Sequence, residues 1–98
     1  MVRVLSATRA RVTLTRQPDY RRTAAELAAR LETRGQHLWV FRSLSDPELL
    51  LEFREGPDAR ALQPADTVEA ALSARLAQVA EYAPAEALWE EMPLVKEG

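Results

Sequence analysis

The chain has 98 residues, 47% apolar and 29% charged, with no cysteine and a formal net charge of −2. That is the length of one ordinary domain, 1–98, which excludes a catalytic domain beside a separate cofactor domain. The missing cysteines exclude a disulfide scaffold, a thiolate zinc site and a thiol nucleophile, and the apolar fraction excludes a disordered chain.

Charge is unevenly divided. Residues 1–45 hold nine Arg against Asp19, Glu26 and Glu32, whereas residues 46–98 hold Arg54, Arg60, Arg75 and Lys96 against twelve acids. A basic half offers a face to an anionic ligand or nucleic acid. The arginines are scattered, however, and the favoured reading is that the two halves lie side by side and neutralise each other. No segment approaches the roughly 18 apolar residues of a membrane span. Met1-Val2-Arg3-Val4-Leu5-Ser6 has no continuous apolar stretch behind its charge, so a cytoplasmic location is the expectation.

Val2 to Thr15 alternates with period two. Val2, Val4, Ala10, Val12 and Leu14 fall on one side, with Arg3, Leu5, Ala7, Arg9 and Arg11 on the other. This predicts a half-buried strand with a bend or bulge at Ser6–Thr8. Pro18-Asp19 opens a helix, with Asp19 as its expected N-cap. Tyr20, Ala24, Leu27, Ala28 and Leu31 form its apolar stripe, and Gly35 stops it. His37 to Ser43 reads as a strand apolar on both faces. Leu44-Ser45-Asp46-Pro47 is turn chemistry and Leu49 to Arg54 a second strand, so the two form a hairpin ended by Gly56-Pro57-Asp58.

Asp66 and Glu69 stand three apart, as in a capping box with Asp at the cap. A second helix follows, with Val68, Leu72, Leu76, Val79 and Ala80 inward, running to about Tyr82 before Pro84. Ala87 to Val95 fits a further helical turn or an edge strand that tolerates Pro93. The strand is preferred because the topology supplies a place for it.

Strand, helix, strand, strand, helix, strand is the ferredoxin-like β-α-β-β-α-β order, an α+β fold with a four-stranded antiparallel sheet and both helices on one face. A monomer with that fold would alternate apolar and polar residues on its hairpin strands. Leu38, Trp39, Val40 and Phe41 are instead consecutive, as are Leu49, Leu50 and Leu51. Burying one such side chain is worth about 1.5–3 kcal/mol, and a contiguous exposed set is unusual on a monomer. A second copy of the same sheet is the simplest cover, so a homodimer is expected.

Several segments resemble a known group. Ala10-Arg11-Val12-Thr13-Leu14 is an arginine-bearing first strand, and a Leu-rich helix ends at Gly35. Phe41-Arg42-Ser43-Leu44-Ser45-Asp46-Pro47 is a strand leading into an Asp-Pro turn, and Leu49-Leu50-Leu51-Glu52-Phe53 follows. In these the chain resembles the dimeric α+β-barrel superfamily and, within it, the antibiotic-biosynthesis-monooxygenase-like group. The resemblance covers residues 2–55, and beyond them only the topology matches. It implies two ferredoxin-like subunits packed sheet to sheet, each with a pocket between sheet and helices. It also implies, for some members, cofactor-independent oxygenation of polyphenolic or quinol substrates. The haem-degrading members use an Asn, a Trp and a His. This chain has no Asn, has Glu52-Phe53-Arg54 where the group often has Glu-x-Trp, and has no His in residues 56–80.

Candidate pocket residues are few. His37, the only histidine, titrates in the range useful to a general base. It shares a strand face with Trp39 and Phe41, so the three line one aromatic pocket, or else His37 lies at the surface and the two aromatics form dimer core. Tyr20, Tyr82 and Trp89 have polar ends that need partners when buried, in a phenol-binding pocket or in ordinary helix–sheet contacts. Arg9, Arg11 and Arg42 are candidates to orient an anionic ligand, or else rim residues paired with an acid such as Glu52. One His and scattered carboxylates make no metal cluster, and no glycine-rich phosphate loop is present. RNA stacking needs exposed aromatics on the central strands, and the first strand has none, so nucleic-acid binding is not expected. The expectation is a small homodimer with a pocket for an apolar or aromatic molecule and no bound cofactor. The other reading is a cofactor-independent, monooxygenase-like enzyme.

Overall fold

The computed structural model describes residues 2–84 and 87–94. In chain order these form β1 (Val4–Arg11), α1 (Gln17–Glu32), β2 (His37–Arg42), β3 (Leu49–Gly56), α2 (Thr67–Val79), β4 (Glu81–Tyr82) and β5 (Trp89–Glu90). Single 3₁₀ turns stand at Leu14–Arg16 and Arg60–Leu62. Every strand pairing is antiparallel, and the spatial order is β2-β3-β1-β4, with β5 also paired to β1. This is the ferredoxin-like α+β fold. Because β3 occupies one edge of β1 along its whole length, β4 and β5 share the other. Of the strand expected at Ala87 to Val95 only Trp89–Glu90 forms among the described residues, with Leu5 facing Trp89, and the unexpected pair Glu81–Tyr82, with Ala10 facing Tyr82, takes the rest of that edge. Val95, the end of that predicted strand, lies outside the described residues.

Strand register assigns the two faces. Val4, Ser6, Thr8 and Ala10 of β1 lie opposite Gly56, Arg54, Glu52 and Leu50 of β3, and Leu38, Val40 and Arg42 of β2 join them. This is the face under the helices. Ala10, Leu38 and Leu50 pack there against Tyr20, Ala24, Leu27 and Leu31 of α1 and Leu72 and Leu76 of α2, with Val12 and Ala80 completing the core. The apolar stripe read from the α1 sequence is thus its buried face, with Ala28 partly covered.

Five local expectations are corrected. Pairing of β1 with β3 is continuous, with no bulge at Ser6–Thr8. Leu14 leaves the strand for a 3₁₀ turn and is exposed, because the β1 direction ends where the Val12 amide donates to the Glu48 carbonyl at 2.9 Å. Asp19 does not cap α1. The helix starts two residues earlier, where the buried Gln17 amide donates to the carbonyls of Val12 (3.1 Å) and Pro47 (2.8 Å), and Asp19 sits in the first turn, where an acid suits the helix dipole. Val68 is exposed, since Glu69, Leu72 and Leu76 form the inner face of α2 and Val68 lies about 70° to one side of its centre. Finally, α2 ends at Val79, and Tyr82 belongs to β4.

The capping signals act as read. Asp66 accepts from the Glu69 amide at 2.9 Å, and the Glu69 carboxylate reaches back to the Ala65 amide at 3.2 Å. Gly35 adopts φ +70°, which lets the Gln36 amide return to the Leu31 carbonyl at 3.0 Å and close α1. In the hairpin turn Asp46 accepts from the Glu48 amide at 3.1 Å. The charged halves interlock: Arg11 pairs with Asp46 (3.0 Å), Arg30 with Asp66 (2.7 Å), Arg34 with Glu69 (2.6 Å) and Arg3 with Glu55. Among the described residues no helix is long and apolar enough to cross a membrane.

Candidate functional site

Alternation along β3 carries two charged residues to the side where Leu50 meets the core. Glu52 and Arg54 therefore point under the helices, and Glu52 is only 8% exposed. A buried carboxylate is costly unless it is hydrogen-bonded. Here Tyr20 of α1 and Tyr82 of β4 both donate to its Oε2, Tyr82 at 2.6 Å. Burial, reinforced by the neighbouring Glu52 charge, pushes both phenols well above the usual tyrosine range. Both remain protonated donors at neutral pH.

Arg54 stands beside this triad. Burial lowers its guanidinium from the ordinary value, against the opposing charges of Glu69 and Glu52. Glu69 is already taken by Arg34 and the Ala65 amide. The buried Nε and Nη2 of Arg54 find no hydrogen-bond partner among the described residues.

Two cavities flank Tyr20 and Glu52. The first is a cleft of about 340 Å³ between α1 and the outer part of the sheet. Ala24, Ala25 and Ala28 leave room on the helix side, and Leu38, Val40 and Leu50 form the sheet side. Gln17, Tyr20, Arg21 and Arg42 supply the polar groups. The second, about 240 Å³, lies beneath α2 and is lined by Thr8, Leu27, Glu52, Arg54, Ser73, Leu76 and Tyr82.

The candidate residues divide between the two faces of the sheet. Tyr20, Tyr82 and Arg42 lie on the helix side, where the two tyrosines meet. Arg9, Arg11, His37, Trp39, Phe41 and Trp89 alternate onto the open face. There His37 and Trp39 stack with ring centroids 5.0 Å apart, and Phe41 packs edge-on against Phe53 at 5.5 Å. His37 Nδ1 stands 3.3 Å from Glu55. The Arg11 guanidinium is engaged by Asp46 and, at 3.9 Å, Glu48. Glu52 pairs with the two phenols and not with a rim arginine, because its strand position turns it inward. Glu52 and Arg54 escaped the sequence reading as site residues. Their signal was a charged residue at every second position after the core residue Leu50. Among the described residues no three His, Asp or Glu side chains gather as a metal site.

The fold is shared with solved structures of low sequence identity. A conserved protein from Methanosarcina mazei superposes with TM-score 0.74 at 15% identity, covering 93% of this chain and 92% of that one. A Bacteroides thetaiotaomicron protein of unknown function, named "possible oxidoreductase", gives 0.72 at 17% identity over 91% and 95%. A Bordetella bronchiseptica protein named "putative antibiotic biosynthesis monooxygenase" gives 0.69 at 12% identity over 97% and 100%. No protein-family model matches the sequence, and no curated protein matches it.

Proposed function

We propose that this chain, built on the ferredoxin-like fold of structures named antibiotic biosynthesis monooxygenase, is a homodimeric binding protein for a small apolar or aromatic molecule. The ligand occupies the cleft between α1 and the sheet. The observation that carries this reading is the cleft itself: about 340 Å³, the size range of small-molecule sites, with alanine and aliphatic walls and a few convergent polar groups. Tyr20 and Gln17 meet the ligand's polar atoms at the floor, and Arg21 and Arg42 favour an anionic or carbonyl end.

The open face of the sheet supports the dimer. Trp39 is 43% exposed, Phe41 58% and Trp89 57%, and they adjoin Leu5, Leu51 and Phe53 on the same face. Such a patch is characteristic of an interface, and a second copy of the sheet covers it with two-fold symmetry.

Native mass spectrometry of the purified protein tests both parts. The expected spectrum is a dimer carrying a retained small molecule that Ala25→Trp, which fills the cleft from its exposed side, displaces. A bare monomer at micromolar concentration overturns the reading.

A second reading, an enzyme that oxygenates a phenolic or quinol-type substrate without a bound cofactor, is favoured by one observation. A buried carboxylate already accepting phenolic hydrogen bonds lies directly behind the cleft floor. Oxygen uptake with the ligand identified by mass decides it: uptake supports the enzyme, and none leaves the binding protein.

A further inference from the structure

The cleft between α1 and the sheet is walled by two short rows of residues. Along α1, Arg21, Ala25 and Ala28 recur at i, i+4 and i+7, on one stripe of the helix. Along β2, Leu38, Val40 and Arg42 alternate onto the face beneath it. The chain reverses at Gly35, so the two rows run in opposite directions. At about 1.5 Å of rise per helical residue and about 3.3 Å per strand residue, Arg21 and Arg42 both stand about 20 Å from that turn. Each row therefore places its guanidinium at the same end of the cleft.

The floor has no hydrogen-bond donor to spare. Both Nε2 hydrogens of Gln17 go to the carbonyls of Val12 and Pro47, and the Tyr20 hydroxyl donates to Glu52. Arg21 and Arg42 are different. Both are exposed and take part in no ion pair among the described residues, whereas Arg22 and Arg30 on the same helix each hold an acid. Among the described residues no Asp or Glu lines the cleft. Deeper in, Val40 is 38% exposed although its register turns it under the helices, an apolar wall without cover. The cleft is thus apolar within and cationic at one end.

We propose that the cleft takes an organic anion. Its apolar body, aromatic or aliphatic, lies along Val40 and Ala25, and its oxyanion head group is held by Arg21 and Arg42. The assignment rests on the cleft being the ligand site, and it adds the charge of the ligand and the direction in which it enters. Carboxylate and phosphate heads share the chemistry required, two oxygens that match the fork of a guanidinium. The net charge of −2 works against anions over the molecule as a whole, so a preference for the anion reports these two residues.

The test is isothermal titration of the purified protein with 2-naphthoate, 2-naphthyl phosphate and the neutral 2-naphthamide at low salt. At least one anion is expected to bind about fivefold or more tighter than the amide, the gain from two partly exposed charge-assisted contacts. The tighter anion assigns the head group, and raising the salt narrows the gap to the amide. Arg21→Met and Arg42→Met, both at exposed positions, each remove most of that gap. Ala25→Trp abolishes binding of all three probes. Equal affinity for amide and anions, lost in Ala25→Trp, overturns the anion assignment and leaves a cleft for neutral ligands. Anion binding that survives Ala25→Trp, or a preference that either arginine variant leaves intact, puts the anion elsewhere on the basic half and overturns it too. No binding of any probe overturns this assignment together with the cleft reading.

Discussion

Tyr20 and Tyr82 share one hydrogen-bond acceptor, Oε2 of Glu52, and through it α1 and β4 are tied to the middle of β3. Removing either phenol withdraws a donor from a carboxylate with little access to water. Tyr20→Phe is expected to destabilise the fold by about 1–3 kcal/mol, the cost of a lost hydrogen bond to a buried charged group. Tyr82→Phe costs less, because Tyr82 is 37% exposed and water can replace it. Urea denaturation of the two single variants and the double variant measures the coupling.

The same two phenols set the alkaline limit. Their folded pKa values lie above the unfolded value of 10.0, so the unfolded chain loses protons first as pH rises. The stability they contribute is complete below pH 10 and falls above it. Melting temperature is expected to hold from pH 8 to 10 and drop beyond. Tyr20→Phe/Tyr82→Phe, though less stable at neutral pH, shows a shallower drop; an identical slope counts against the assignment.

The open sheet face makes a prediction about assembly. Phe41→Glu places a charge in the exposed aromatic patch, on the face of the sheet opposite both cavities. It is expected to weaken the dimer by about 2 kcal/mol or more, the threshold for a central interface residue. A shifted mass in dilution-series light scattering, together with a melting temperature that falls and no longer depends on protein concentration, is the expected pair of results.

Gly35 holds φ +70°, and an added Cβ would meet nothing within 4 Å. Gly35→Ala therefore isolates backbone strain from crowding. The expected loss is about 1–2 kcal/mol, the penalty of a left-handed conformation for an L side chain, read as a lower urea midpoint at unchanged m-value.

Asp66 caps α2, and its hydrogen bond from the Glu69 amide, helped by Arg30, holds its carboxyl below the ordinary aspartate value. A depressed folded pKa means stability that is present above the unfolded value of 3.8 and lost as pH falls through the folded one. Asp66→Ala is expected to lower the melting temperature at pH 7 and to narrow its gap to the wild type as pH falls below 4.

Much of this was readable in the residues. The stripe from Tyr20 to Leu31, the Gly35 stop, the Asp46 turn and the Asp66 cap each rest on local chemistry, and local chemistry is what a sequence displays. The consecutive apolar residues of β2 likewise match what the structure shows, Leu38 in the helix-covered core and Trp39 and Phe41 exposed on the open face. What could not be read was which alternating set of β3 faces the helices, because Leu50 and Leu51 are equally apolar. Glu52 and Arg54 follow Leu50 inward, and that single choice of face converts two ordinary strand charges into the polar heart of the fold. Val68 failed for a related reason. A buried Glu69, satisfied by Arg34 from α1, outranks a valine only once α1 is in place.

The interlocking of a basic first half with an acidic second half bears on how the chain finds itself. Cut at the Ser43–Pro47 turn, it would yield two fragments of opposite net charge whose principal contact, β1 on β3, crosses the cut. Their encounter would be drawn together over about the 10 Å Debye length of 0.1 M salt, as two oppositely charged proteins are. The domain is in that sense a complex with itself, its recognition code written as arginine on one partner and carboxylate on the other.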